Sequence, residues 1–262
     1  MSRIRAVIFD WAGTMVDFGA LTSIGSLAQS FAEFGLVLGT ADLRKAMGIR
    51  KSDHIAALLA EPLIAARWQE VHGILPDRAA VARLHEHYVT RQTAAAARVT
   101  FVPGALDTAA WLRAEGIRIG STTSSTRAIM GRVSAAAAAQ GYAPDTLVCT
   151  DDLAEGRPGP LMIYKCFADL GVYPPQSVIK VDDTEPGIAE GRAAGCITVG
   201  VTLSGNEAGF SAAEIAALPE AKRNDIRRRA RARFKAAGAD HVIDTVADLP
   251  SLIQTFDARD LP

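Results

Sequence analysis

"AVIFDWAGTMVD", residues 6–17, decides how the rest of the chain is read. A short apolar run, rich in strand-forming residues, goes straight into Asp10, and Gly13 and Thr14 follow within one turn. A run of this length, bounded by turn-forming residues, predicts a buried strand with a carboxylate at its carboxyl end. Two positions on stands Ala12, so the strand end offers one carboxylate and not a pair.

Working outward, runs of the same kind recur at "IRIGSTT" (117–123), "SVIKVDD" (177–183) and "CITVGV" (196–201). Ala-rich helical patterns lie between them at 105–115, 126–140, 160–170 and 185–194. Strands alternating with helices predict βαβ units. Runs apolar on both faces predict helices on both sides of the sheet. The expected fold class is α/β, a Rossmann-like parallel sheet. The first crossover is too long for this scheme, because the second strand comes only after Gly116. Residues 20–98 read as helical throughout and predict an inserted α-helical cap domain, leaving 1–19 and 99–262 as the core domain. "VPGAL" (102–106) marks the return to the core through a turn.

Composition narrows the function classes. The 262 residues carry 28 Lys+Arg against 29 Asp+Glu, for a formal charge of -1. That balance does not call for nucleic acid or an anionic membrane. No apolar run reaches the roughly 18 residues that span a bilayer, and the N-terminus has no signal-peptide pattern. Three scattered cysteines, Cys149, Cys166 and Cys196, read as reduced thiols, which predicts a cytoplasmic protein. In the segment 207–237 and its flank, "LPEAKRNDIRRRARARFKAAG" (218–238) predicts a basic, amphipathic, solvated surface helix.

In an open parallel sheet, sites form at the carboxyl ends of the strands. There the sequence places Asp10, then Ser121, Thr122 and Thr123, then Asp182 and Asp183, with Arg157 in the loop "EGRPGP". Singly, each is a turn cap or strand filler. Together they suit phosphoryl transfer. Hard carboxylate oxygens bind Mg²⁺, a cation and hydroxyls hold phosphate oxygens, and a free carboxylate can attack phosphorus.

"DWAGT" (10–14), Thr123, Arg157 and "DD" (182–183) resemble the four motifs of the haloacid dehalogenase superfamily, and the cap insertion matches too. Within it, "VIFDWAGT", "MGIRKSDH" (47–54), "IGSTTSSTR" (119–127), "EGRPGP" (155–160) and "YKCFADLGVYP" (164–174) resemble the phosphonatase family. The resemblance implies hydrolysis of a P–C bond, that of phosphonoacetaldehyde, to acetaldehyde and phosphate. It assigns Asp10 as nucleophile and Mg²⁺ ligand, Ala12 as a backbone-carbonyl metal ligand and Asp183 as the second carboxylate ligand. It makes Thr123 and Arg157 phosphate binders and Lys51 a Schiff-base lysine carried by the cap, and it implies a homodimer through the cap. Gly13 suits a tight turn beside phosphate. His54, three residues after Lys51, can move protons during imine formation, and Met47 can line an apolar pocket. The superfamily's first motif usually has an acid where Ala12 stands, and many members have another where Gly187 stands. Asp182 or Glu185 can compensate for the latter.

Two other functions remain open on the sequence. One is a phosphomonoesterase or phosphomutase of the same superfamily, which needs the acid that Ala12 replaces to protonate an alkoxide. The other is a catalytically silent binding protein on the same fold.

Overall fold

The computed structural model describes residues 3–96 and 98–258; residues 1, 2, 97 and 259–262, included in the expected domain division, lie outside the described residues. Six strands form one parallel sheet: β1 Ala6–Phe9, β2 Arg118–Thr123, β3 Thr146–Cys149, β4 Val178–Asp182, β5 Ile197–Val201 and β6 His241–Ile243, in the order β3-β2-β1-β4-β5-β6. The chain moves outward from β1 to β3, then returns to the other side of β1. That reversal between β1 and β4 is the position where such sheets open a crevice. Register aligns Phe9 with Ser121 on one side and Val181 on the other. Asp10, one residue on, therefore emerges level with Thr122 and Asp182.

Alternation along β1 builds two cores. Val7 and Phe9 join one apolar cluster, and Ala6 and Ile8 the other. Helices α6 (Ala105–Ala114), α7 (Arg127–Ala138) and α12 (Leu249–Ala258) lie after β1, β2 and β6. Helices α8 (Leu161–Leu170), α9 (Glu185–Ala194), α10 (Ala212–Ala217) and α11 (Glu220–Ala237) complete the core elements.

Between β1 and β2 come α1 (Leu21–Glu33), α2 (Thr40–Leu43), α3 (Lys51–Ala60), α4 (Pro62–His72) and α5 (Arg78–Ala95). They share a separate apolar cluster that includes Leu27, Phe31, Trp68, Leu84 and Tyr88, and Ile129 of α7 joins it from below. Pro62 separates α3 from α4, and Asp77 caps α5 by accepting from the Ala80 amide at 2.8 Å.

The expected strands hold within a residue at each end, with two additions. β3 and β6 sit on the sheet edges, are only four and three residues long, and carry no long apolar run. The expected basic helix is present as α11, and the part of the 207–237 segment ahead of it is a loop and a separate short helix. Pro219 parts α10 from α11, and residues 207–211 form a loop. Along α11, Ile226, Ala230 and Phe234 recur every fourth residue and are buried. Several of its arginines are paired, Arg227 with Asp244 and Arg233 with Glu185 and Glu207. Among the described residues, no helix is long and apolar enough to cross a membrane.

Candidate active site

The sheet switch point gathers an ion network that no exposed surface could hold. In β4 the period of two puts Lys180 and Asp182 on one face, and both are fully buried. Helix α9 approaches closely because a side chain at Gly191 would run into Lys180 and Thr198. This closeness brings Glu190 within 3.3 Å of the Lys180 ammonium. Arg157 enters from the loop before α8. Its Nε donates to Glu190 at 2.9 Å, and its Nη2 donates to Asp10 at 2.8 Å and to the Thr122 carbonyl at 2.9 Å. Asp182 Oδ2 lies 3.1 Å from Arg157 and 3.0 Å from Lys180. Burial works against the charge on Arg157, but Asp182, Glu190 and Asp10 outweigh it.

Two cations in this network face four carboxylates, since Asp183 also lies beside Asp10 and Asp182. With all four ionised, the site would be two negative charges in excess. Burial, and then Asp182, push the Asp10 carboxyl well above the usual range; burial, Asp10 and Asp182 do the same to Asp183. Burial opposes the charge on Asp182 as well, yet Arg157 and Lys180 hold it below the ordinary value. Oxygens of Asp10, Asp182 and Asp183 lie within 4.8 Å of one another, and Asp183 Oδ1 is buried with no hydrogen-bond partner. Hard oxygen donors, an orphaned carboxylate oxygen and a deficit of two positive charges together fit a divalent cation such as Mg²⁺.

Gly13 has φ +83°, and any side chain there would fall on the Asp183 carboxylate. The loop after β1 can therefore approach Asp183 only as glycine. Asp182 explains Gly187 in the same way. A side chain built on Gly187 would overlap the Asp182 carboxylate, so one position excludes an acid at the other. Asp182 Oδ1 also accepts from the Thr184 amide at 3.0 Å and hydroxyl at 2.8 Å, which fixes it at the start of α9. Glu185, in contrast, points away to Arg233.

A cavity of about 540 Å³ opens above this network and reaches α3 and α5. Asp10, Ala12, Thr123, Arg157 and Asp183 line its floor; Met47 and Lys51 line it on the helical side. Thr123 Oγ1 accepts from the Ser125 amide at 3.1 Å. Lys51 is the first residue of α3 and is 6% exposed. Burial lowers its pKa from 10.5 to about 8. The positive end of the helix dipole acts in the same direction. Its Nζ lies 3.1 Å from His54 Nδ1 and 3.7 Å from Met47 Sδ, and among the described residues it has no carboxylate partner. Burial, and then Lys51, drive the His54 pKa to about 3, against the backbone oxygens of Leu43 and Lys45. The imidazole is thus neutral, and Nδ1 accepts from the lysine. Arg50 does not share this pocket; its guanidinium donates to the Thr150 carbonyl, just after β3, at 3.0 Å.

Asp10, Thr123, Arg157 and Asp183, expected at one sheet edge, line the cavity together with Lys51 and Met47, whereas His54 does not line it and meets Lys51 from the buried side. Sequence reasoning missed Lys180 and Glu190. A lysine inside the apolar run "VIKVD" was the available signal, since a buried strand tolerates such a residue only with a partner. It also missed Asn206, whose amide donates to Asp183 Oδ2 at 2.7 Å from a loop without regular periodicity.

Comparison with known proteins agrees with this geometry. The model of the haloacid dehalogenase-like hydrolase family matches residues 4–195. Phosphonoacetaldehyde hydrolase of Paraburkholderia xenovorans is 45% identical over 99% of this chain and 97% of its own length. That of Bordetella avium is 42% identical over 98% and 92%. The crystal structure of a phosphonoacetaldehyde hydrolase-like protein from Oleispira antarctica superposes with a TM-score of 0.95 at 37% identity, covering 98% of this chain and 94% of that one. A hydrolase from Pseudomonas syringae shares the fold alone, with a TM-score of 0.69 at 16% identity. With its carboxylate network beneath and its buried lysine above, the chain belongs to the phosphonoacetaldehyde hydrolase family of the haloacid dehalogenase-like hydrolases.

Proposed function

We propose that this chain hydrolyses the P–C bond of phosphonoacetaldehyde, releasing acetaldehyde and phosphate, by joint use of Lys51 and Asp10. The observation that carries this reading is a buried lysine, with no carboxylate partner among the described residues, on the roof of the cavity whose floor holds Asp10. Breaking a P–C bond directly would expel a carbanion. The Lys51 amine adds instead to the aldehyde carbon, water leaves, and an iminium forms. Asp10 then attacks phosphorus, the P–C electron pair flows into the iminium, and the leaving group departs as a neutral enamine. Water next hydrolyses the Asp10 aspartyl phosphate and, separately, the Lys51 adduct. This leaving group needs no proton from a neighbouring acid as the bond breaks, which accounts for Ala12.

Asp10, Asp183 and the Ala12 carbonyl would hold Mg²⁺, which when bound supplies positive charge against the phosphoryl oxygens. Thr123 and the Arg157 guanidinium, whose Nη1 is not used in the network, receive phosphoryl oxygens. His54 accepts from the lysine and aims its amine, and Met47 keeps the amine out of water. Residues 20–98 act as the cap and 1–19 with 99–262 as the core. The enzyme works as a cytoplasmic homodimer through the cap, whose exposed Leu63, Val71, Ile74 and Leu75 offer an apolar face.

Borohydride added with substrate tests the reading. It should inactivate the protein and leave a reduced two-carbon adduct on Lys51 by mass spectrometry. Hydrolysis that persists with Lys51 unmodified would overturn it. Faster turnover of a simple phosphate monoester would favour the phosphatase alternative.

A further inference from the structure

Tyr88 of α5 sits beneath Lys51 in the cap, with the lysine Nζ 5.0 Å from its ring centroid. The residue is 3% exposed, and its hydroxyl lies 3.1 Å from Ser23 Oγ of α1. Ser23 in turn is held at the start of α1, where its amide donates to Asp17 at 3.2 Å. The ring is thus fixed by its hydroxyl at one edge while its face meets the amine. Burial drives the phenol to about 12, so the ring stays uncharged throughout the working range.

We propose that the ring face of Tyr88 is the group that stabilises positive charge on the Lys51 nitrogen when it becomes an iminium. The proposal rests on the Schiff-base reading above. Condensation forms a C=N bond, releases one water and leaves one positive charge on an atom shielded from solvent. The groups facing that atom are few. His54 on α3 is neutral, Met47 gives a thioether, and His85 on α5 is lowered in pKa by burial and by Lys51 itself; Asp17 lines the cavity but its carboxylate accepts from the Thr22 and Ser23 amides, and Asp10 and Asp183 line the far floor. None of these is an adjacent anion.

That choice has a chemical logic. A carboxylate within about 4 Å would stabilise the iminium, but it would stabilise the ammonium equally and keep the amine protonated. It would also resist the next step, in which P–C cleavage removes the charge. An aromatic face attracts a cation by about 0.5–2 kcal/mol, enough to help and too little to trap. The broader, less hydrated iminium benefits more than the ammonium, which loses strong hydration on reaching the ring.

The test compares Tyr88→Leu with Tyr88→Phe, and adds a series with phenylalanine of increasing ring fluorination at position 88. The series keeps the shape while weakening the face, so it remains informative where the leucine variant does not fold. Two quantities are read: the fraction of Lys51 trapped by borohydride at fixed substrate, and the pH midpoint of Lys51 labelling by a small aldehyde and cyanoborohydride without substrate. Tyr88→Phe should stay within about twofold of the parent. Tyr88→Leu should trap about 3- to 30-fold less, and its labelling midpoint should move to lower pH. Fluorination should lower both in steps. Equal trapping and midpoints across the series would overturn the proposal, as would a Tyr88→Phe variant as impaired as Tyr88→Leu. If the unaltered protein forms no Lys51 adduct with substrate, the Schiff-base reading fails, and Tyr88's role in the iminium falls with it. A labelling midpoint that still moves would then show that the ring acts on the ammonium alone.

Discussion

Lys51 is held where a lysine is least at ease, and the strain can be measured as stability. Lys51→Met keeps the length and apolar stem but removes the charge. The ammonium titrates at 10.5 when free and at about 8 in the folded chain. A protonated Lys51 therefore costs the fold about 3 kcal/mol at pH 7. Losing the amine leaves His54 Nδ1 unpaired, which returns about 1 kcal/mol of destabilisation. The variant should be inactive and about 2 kcal/mol more stable at pH 7. The sign against pH follows from the lowered value. Between about 8 and 10.5 the folded chain binds fewer protons than the unfolded one, so the parent gains stability as pH rises and the penalty is gone above 10.5. By pH 9.5 the advantage of the variant should shrink by about 2 kcal/mol. Urea unfolding followed by tryptophan fluorescence at pH 7 and 9.5 gives both differences. A variant less stable than the parent at pH 7, or an advantage that does not shrink by pH 9.5, would refute the reasoning.

Three further outcomes are expected. Labelling of Lys51 by an aldehyde should rise about tenfold per pH unit below 8 and flatten above it, with no limb from His54, which stays neutral down to about pH 3; a midpoint near 10.5 would show that burial does not perturb the amine. Gly187→Asp should cost more than about 4 kcal/mol, because it collides with Asp182 and adds a fifth carboxylate, whereas Asp182→Gly combined with Gly187→Asp should recover most of the loss in melting temperature. A single variant that melts like the parent would show that the two positions do not share one space. Magnesium at about a hundred times its dissociation constant should stabilise the chain by about 2.7 kcal/mol, or about 5–10 °C, and chelator should reverse it; an unchanged melting curve would mean that the four carboxylates are balanced without a divalent ion.

What was legible in the sequence follows from the range of the interactions. β1, β2, β4 and β5 are almost wholly buried, so each stands out as a short run rich in apolar and β-branched residues. Asp10, Thr123 and Asp183 could be placed together because parallel strands deliver their carboxyl ends to one edge. β3 and β6 are edge strands that exist through pairing with β2 and β5, and nothing local distinguishes them from loop. Lys180 and Glu190 meet only through the packing of α9 on β4. Asn206 reaches Asp183 from a loop, and Tyr88 meets Lys51 across two helices that are 27 residues apart at their starts. Pairings of this sort belong to the tertiary arrangement and leave no periodic trace.

Asn206 has two loads. Its amide holds the Asp183 carboxylate, while its carbonyl and side-chain oxygens accept from Arg44 of the cap at 3.1 and 3.0 Å. The same arginine reaches the Gly19 carbonyl, just before α1, at 2.9 Å. On the proposed reading, a single residue thus belongs both to the cation's cradle and to the cap's latch. Linkage is reciprocal: if seating the cap draws Asn206 toward Arg44 and so steadies Asp183, then loading the cradle must favour the seated cap by the same free energy. In that case the ion is not only a partner in the chemistry. It is also a vote for the closed arrangement, cast before any aldehyde reaches Lys51.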